Sequence, residues 1–168
     1  MGIDQPGYVF NLDALLFGGA ILVLIMLIHA ILAIAIHISY SKVSGQWMRR
    51  KKYLRAQFAF LVAMFCLMIP HLLEIGVWGA AIHYSGLVKN LHDAIVFSGS
   101  SYTTLGFAPN VFPPGWELVT VIIAVSGMFA FAWSTTVMLD MAKNFRRARE
   151  AITRELEARA LARRTQKS

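Results

Sequence analysis

The sequence predicts an all-α membrane protein with three transmembrane helices, and three observations carry this fold class. The chain has 168 residues, of which 57% are hydrophobic and only 15% are charged, a composition too apolar for an ordinary soluble domain. Three runs each exceed the roughly 20 apolar residues that cross a bilayer. Basic residues cluster at the borders of these runs. Because backbone inside lipid must satisfy its own hydrogen bonds, the runs should be helical.

The first apolar run, residues 14–40, contains no Asp, Glu, Lys or Arg. No basic segment precedes it, and it is longer than the apolar region of a signal peptide, so we predict an additional transmembrane helix. His29 and His37 lie eight positions apart on one of its faces, and hydrogen bonding to a neighbouring helix explains both. The second run, 56–84, carries a single charge, and the third, 118–139, carries none.

The basic residues predict the orientation of the chain. All but Lys89 of the 16 Lys and Arg residues lie in 41–55 or 140–168. By the positive-inside rule, we expect 41–55 to be a cytoplasmic loop and 140–168 a cytoplasmic helical tail, with 1–13 outside the membrane. These charges fit anionic lipid as a partner of the loop and tail. Nucleic-acid binding is not needed to explain them.

Residues 85–117 are too long for a tight turn between the second and third runs, and they are partly apolar. A helix of three or four turns fits before Ser101, but a full crossing does not. We therefore predict a short helix that enters the membrane from outside and returns as extended chain. Irregular backbone at membrane depth must face protein or water, and the chain has one copy of this segment, so we expect an oligomer around an axis.

Residues Tyr102-Thr103-Thr104-Leu105-Gly106-Phe107 follow this short segment and form the pattern TTxG[YF]. In its position, the pattern resembles the selectivity filter of the tetrameric potassium-channel superfamily, and in particular its bacterial two-helix pore-domain group. The resemblance covers the pore domain 56–139, about half of the chain. It implies an outer helix over 56–84, a pore helix over 88–102, a filter over 103–108 and an inner helix over 116–139.

The resemblance implies a homotetramer that conducts K⁺ through rings of backbone carbonyls. The implied filter residues are Thr103, Thr104, Leu105, Gly106, Phe107 and Ala108. Potassium, the transported ion, would be coordinated at Thr104, Leu105, Gly106 and Phe107. No cofactor is expected.

Two residues depart from the family pattern at the outer end of the filter. Ala108 replaces a glycine, and positive φ at an L-residue costs roughly 1–2 kcal/mol. Pro109 replaces an acidic residue, and its usual partner position in the pore helix is Ser100. We expect packing to hold the filter mouth instead of an acid pair. The packing residues would be Phe107, Pro109, Pro113 and Pro114.

In the third run, Gly127 lies where many members of the superfamily have a hinge glycine. Close helix packing explains a membrane glycine equally well. Helical spacing places Phe131 and Thr135 on the same face, with Met138 one turn below. We predict that these four residues line or gate the pore.

The second run contains Pro70, His71 and Glu74, of which Pro70 should kink the helix. An ionisable residue inside a membrane is a functional candidate, and three interpretations are open. Glu74 could accept hydrogen bonds from pore-helix donors such as His92 or Ser98, which we favour. His71 and Glu74 could instead sense pH, or contribute to a metal site.

The function predicted from the sequence is passive K⁺ conduction across a bacterial inner membrane, with the N-terminus outside and the C-terminus in the cytoplasm. No pair of nucleophile and base appears, so we do not expect an enzyme. One alternative is a weakly selective channel for Na⁺ and K⁺, because of Ala108 and Pro109. Another is a non-conducting membrane scaffold with a degenerate filter.

Overall fold

The computed structural model describes residues 11–107 and 111–165, which contain five α-helices and no strand. Three spans are long and apolar enough to cross a membrane: Leu12–Arg49, Tyr53–Tyr84 and Glu117–Arg163. The helices are α1 (Leu12–Arg49), α2 (Tyr53–Cys66), α3 (Met68–Tyr84), α4 (Leu91–Tyr102) and α5 (Glu117–Thr165).

Helix α1 begins at Leu12 after an asparagine cap and continues far beyond the apolar run. The Asn11 side chain accepts from the amides of Asp13 and Ala14 at 3.0 and 3.3 Å. The helix ends at Arg49, and Lys51 has a φ of 54°. Most of the loop expected over 41–55 is therefore helical, because its Lys, Arg, Gln and Met residues are good helix formers and it contains no proline.

The second apolar run forms two helices, interrupted at Leu67. Pro70 explains the position of the break, because a proline ring clashes with the carbonyl of the residue four positions earlier. That residue is Cys66, the last residue of α2. The break expected at Pro70 is thus displaced by one turn toward the N-terminus.

Helix α4 starts at Leu91, three residues later than the predicted pore helix over 88–102. Asn90 sets this start, since its side chain accepts from the amide of His92 at 2.9 Å. Helix α5 continues from Glu117 to Thr165, so the inner helix and the tail, predicted as separate segments, form one helix. No glycine or proline occurs between Met128 and Thr165 to end it.

The chain divides into two compact units. The first comprises the described residues up to Ala30 and those from Pro70 to Ala132. Its fully buried side chains include Trp78, Tyr102 and Ile123.

The second unit comprises Ile31–Ile69 and the described residues from Trp133 onward. Its core contains Tyr40, Ala63, Leu67 and Met141, and the Tyr40 hydroxyl donates to the Met141 carbonyl at 3.1 Å. His37 Nε2 lies 3.0 Å from an Asp140 carboxylate oxygen.

Candidate functional site

The backbone after α4 folds back onto the carboxyl end of that helix. The amides of residues 103–106 donate to the carbonyl oxygens of residues 99–101 at 2.9–3.3 Å, and the Ser100 carbonyl accepts twice. Within the described residues, no amide donates to the carbonyl oxygens of residues 103–107. The backbone amides of this segment are therefore bound to α4, whereas its carbonyl oxygens are available to another group.

The sign of φ alternates along this segment. Thr104 has a φ of 59° and Gly106 a φ of 65°, whereas φ is not positive at Leu105 and Phe107. Alternating signs of φ distinguish this segment from a β-strand, in which φ is negative throughout. Positive φ at a β-branched residue is unusual and costs roughly 1–2 kcal/mol at Thr104. Strain of this kind concentrates at functional sites.

The two threonines of the segment differ in their hydroxyl contacts. The Thr103 hydroxyl donates to the Gly99 carbonyl at 2.7 Å and so caps α4. The hydroxyl of Thr104 makes no hydrogen bond within the described part of the chain, and its side chain is exposed. Of the two, Thr104 therefore has the oxygen that is available to an ion.

The remaining predicted filter residues are exposed or lie outside the description. The side chains of Leu105 and Phe107 are 71% and 68% exposed. Ala108 and Pro109 lie outside the described residues.

The packing expected at the filter mouth is not found among the described members of that group. Phe107, Pro113 and Pro114 are all exposed. Phe112 is buried instead, with its ring 4.9 Å from that of Phe97 in α4.

A buried polar network surrounds Tyr102 at the end of α4, directly before residues 103–107. The Tyr102 hydroxyl donates to Glu74 Oε2 at 2.5 Å, and Glu74 Oε1 lies 2.7 Å from His29 Nδ1. His71 Nδ1 lies 2.9 Å from the Tyr102 oxygen. Because the single hydroxyl proton goes to Glu74, His71 donates to Tyr102, and His29 donates to the carboxylate. Every oxygen of Glu74 therefore has a donor.

This network differs in its donors from the one expected at Glu74. Ser98 Oγ is buried without a hydrogen-bond partner among the described residues, and the expected donor His92 is not among the groups that contact the carboxylate. The pore-helix donor is Tyr102, which sequence reasoning missed. For His29, the sequence predicts a hydrogen bond to a neighbouring helix but does not identify Glu74 as the partner.

The same three ionisable residues are close enough to bind a metal ion. One atom each from His29, His71 and Glu74 lies within 4.8 Å of the other two, and all three residues are buried. Their nearest polar atoms are paired with one another and with Tyr102. Hydrogen bonding therefore accounts for the cluster.

Gly127 of α5 packs against the last residue of α4. A Cβ added at Gly127 would overlap the Tyr102 carbonyl oxygen. One turn further, the Phe131 ring stacks on His71 with centroids 4.4 Å apart and meets the Tyr102 ring edge-on at 5.8 Å. Gly127 and Phe131 thus contact α3 and α4 within the first unit, and their expected place at the pore stays a prediction.

The other two residues predicted to line the pore lie in the second unit. Thr135 is exposed, whereas Met138 is half-buried against the cluster around Tyr40 and Met141. In the first unit, the large exposed side chains of α5 next to Gly127 are Met128 and Phe129, at 54% and 64% exposure.

Comparison with known proteins gives one match. Residues 70–144 match the model of a family described as "Ion channel", and this segment contains residues 103–107 and the Glu74–Tyr102 contact. No curated protein and no solved structure matches the chain. Together with the three apolar spans, the match supports an integral membrane protein of the ion-channel type.

Proposed function

We propose that this ion-channel chain is the subunit of a homotetrameric potassium channel. The backbone of residues 103–107 carries the proposal: the amides of residues 103–106 are bound to α4, φ alternates, and the carbonyl oxygens accept no amide of the described residues. Such carbonyls can replace the hydration shell of a cation. The carboxyl end of α4 adds the negative end of a helix dipole, which also favours a cation.

Exposed apolar side chains next to irregular backbone support assembly around an axis. Leu105 and Phe107 extend from a segment without regular secondary structure. Backbone of this kind is not stable against lipid, since its polar groups would lack partners. Neighbouring copies of the chain would cover it, and the resemblance to tetrameric channels sets their number at four. We place α4 as a helix that re-enters from outside a bacterial inner membrane, with the N-terminus outside.

Ion flux through purified protein in liposomes tests the proposal. We expect K⁺ flux well above Na⁺ flux, with protein-free liposomes as the control. Equal fluxes would instead support a weakly selective cation channel, and no flux of either ion would support a non-conducting scaffold. Native mass measurement in mild detergent should give four subunits, and a stable monomer or dimer would contradict the assembly.

Thr104→Ala is expected to weaken K⁺ conduction, because it removes the hydroxyl that has no hydrogen bond in the described residues. Thr104→Ser keeps that hydroxyl and should retain most of the flux. Thr103→Ala removes the hydrogen bond to the Gly99 carbonyl, which contributes about 1 kcal/mol to stability, and should leave the ratio of K⁺ to Na⁺ flux unchanged. If Thr103→Ala alters this ratio and Thr104→Ala does not, the assignment of the two threonines is wrong.

Ala108→Gly is expected to raise the preference for K⁺ over Na⁺. The resemblance places a glycine at this position, and a glycine adopts positive φ without the cost of roughly 1–2 kcal/mol that alanine incurs. Reversal potentials in mixed K⁺ and Na⁺ solutions measure the effect. An unchanged potential would show that the ring of residue 108 does not contribute to selectivity.

A further inference from the structure

An apolar groove of about 700 Å³ runs between α1 and α2 in the second unit. Helix α1 lines it from Leu32 to Trp47, and the small residues Ala59 and Ala63 of α2 leave space opposite. At a rise of 1.5 Å per residue, the α1 side is about 22 Å long. One leaflet contributes about 15 Å of a hydrocarbon core roughly 30 Å thick, so the groove is long enough to hold an acyl chain and reach the interface.

Three cations surround Trp47 at one end of this groove. Arg55 Cζ lies 4.9 Å from the centre of the indole ring, Lys52 Nζ 5.7 Å and Arg50 Cζ 5.8 Å from it. None of them takes part in an ion pair among the described residues. The nearby carboxylate of Glu155 is paired with Arg159 at 2.9 Å. Three like charges therefore converge on one ring with no anion to balance them.

We propose that this groove binds one anionic phospholipid per subunit. An acyl chain would lie between α1 and α2, and the phosphate would bind Arg50, Lys52 and Arg55. Tryptophan residues also favour the level of the lipid headgroups, which places Trp47 at the boundary between chain and phosphate. The proposal adds a binding site to the channel and does not depend on the ion that the channel conducts.

Lipid retention on the intact protein tests the site. Full-length protein is purified with phosphatidylglycerol or with phosphatidylcholine of the same acyl chains, and native mass spectrometry counts the lipids retained per subunit. Phosphatidylglycerol should be retained preferentially. In Lys52→Gln and Arg55→Gln, its binding should weaken about fivefold for each charge removed.

Lys143→Gln is the matched control, since it removes the same charge from an exposed lysine that pairs with Asp140 and lies outside the groove. A second variant, Val62→Trp, fills the groove next to α2 and should reduce retention while leaving the three cations in place. Equal retention of the two lipids, or equal loss in Lys143→Gln and Arg55→Gln, would overturn the proposal. So would a change in subunit number with Val62→Trp at unchanged lipid retention, which would make the groove an interface between copies.

Discussion

Replacing Gly127 with alanine is expected to abolish most K⁺ flux and to lower the yield of assembled protein. The new methyl group would overlap the Tyr102 carbonyl oxygen, which belongs to the backbone and cannot rotate away. Overpacking that forces backbone shifts typically costs about 1–3 kcal/mol and occasionally more. The displaced residue directly precedes Thr103, so the filter should shift with it. Flux in liposomes and thermal stability of the tetramer measure both effects.

Gly76→Ala is the control, because a Cβ added at Gly76 meets no atom within 4 Å. Both glycines lie inside apolar helices, so the two variants share the change in composition and helix propensity. We expect Gly76→Ala to conduct normally. Normal flux in Gly127→Ala would show that the contact between α5 and Tyr102 is absent in the functional state. It would then favour the hinge interpretation of Gly127.

Glu74→Leu is expected to prevent recovery of a stable tetramer. The change leaves the Tyr102 hydroxyl and His29 Nδ1 without an acceptor in a fully buried site. Leaving one buried donor unsatisfied costs about 1–3 kcal/mol, and two donors lose their acceptor here. Glu74→Gln keeps the shape and one acceptor, so it should assemble with reduced thermal stability. Tetramer yield and melting temperature measure the difference.

Ser126→Ala provides a comparison at a second buried contact of α3. It removes the acceptor of the Trp78 indole N–H, 2.9 Å away, without touching α4. It should cost about 1–3 kcal/mol and leave the selectivity unchanged. The rival pH-sensor interpretation of His71 and Glu74 predicts normal assembly of both Glu74 variants and an altered response of flux between pH 5 and 8. Normal yield of Glu74→Leu would rule out the structural role.

Features that depend on neighbouring residues in the chain could be predicted from the sequence. The three apolar spans follow from composition over about 20 residues, and the structure contains helices over each of them. The segment 103–107 could be singled out because its threonines and glycine are adjacent in the chain. The ion-channel class inferred from this motif agrees with the family match at residues 70–144.

Contacts between residues that are distant in the chain could not be predicted from the sequence. His29 and Glu74 are 45 positions apart, and nothing in either neighbourhood specifies the other as partner. Helical spacing predicts which residues of α5 share a face with Gly127. It does not predict which face of α5 contacts α4. The basic segment 41–55 was predicted as a loop from charge alone, although charged residues with long side chains extend a helix readily.

His29 of α1 and Glu74 of α3 depend on each other for a buried hydrogen bond. The two helices should therefore be inherited together. The segment around Glu74, moved into a chain without α1, would lose the donor to Glu74 Oε1 and keep the Tyr102 hydroxyl on Oε2. A graft of α1 onto a chain lacking the glutamate would lose the acceptor that lies 2.7 Å from His29 Nδ1. Exchange between related chains should therefore be tolerated only when the histidine and the glutamate travel together, even though 44 other residues separate them along the chain.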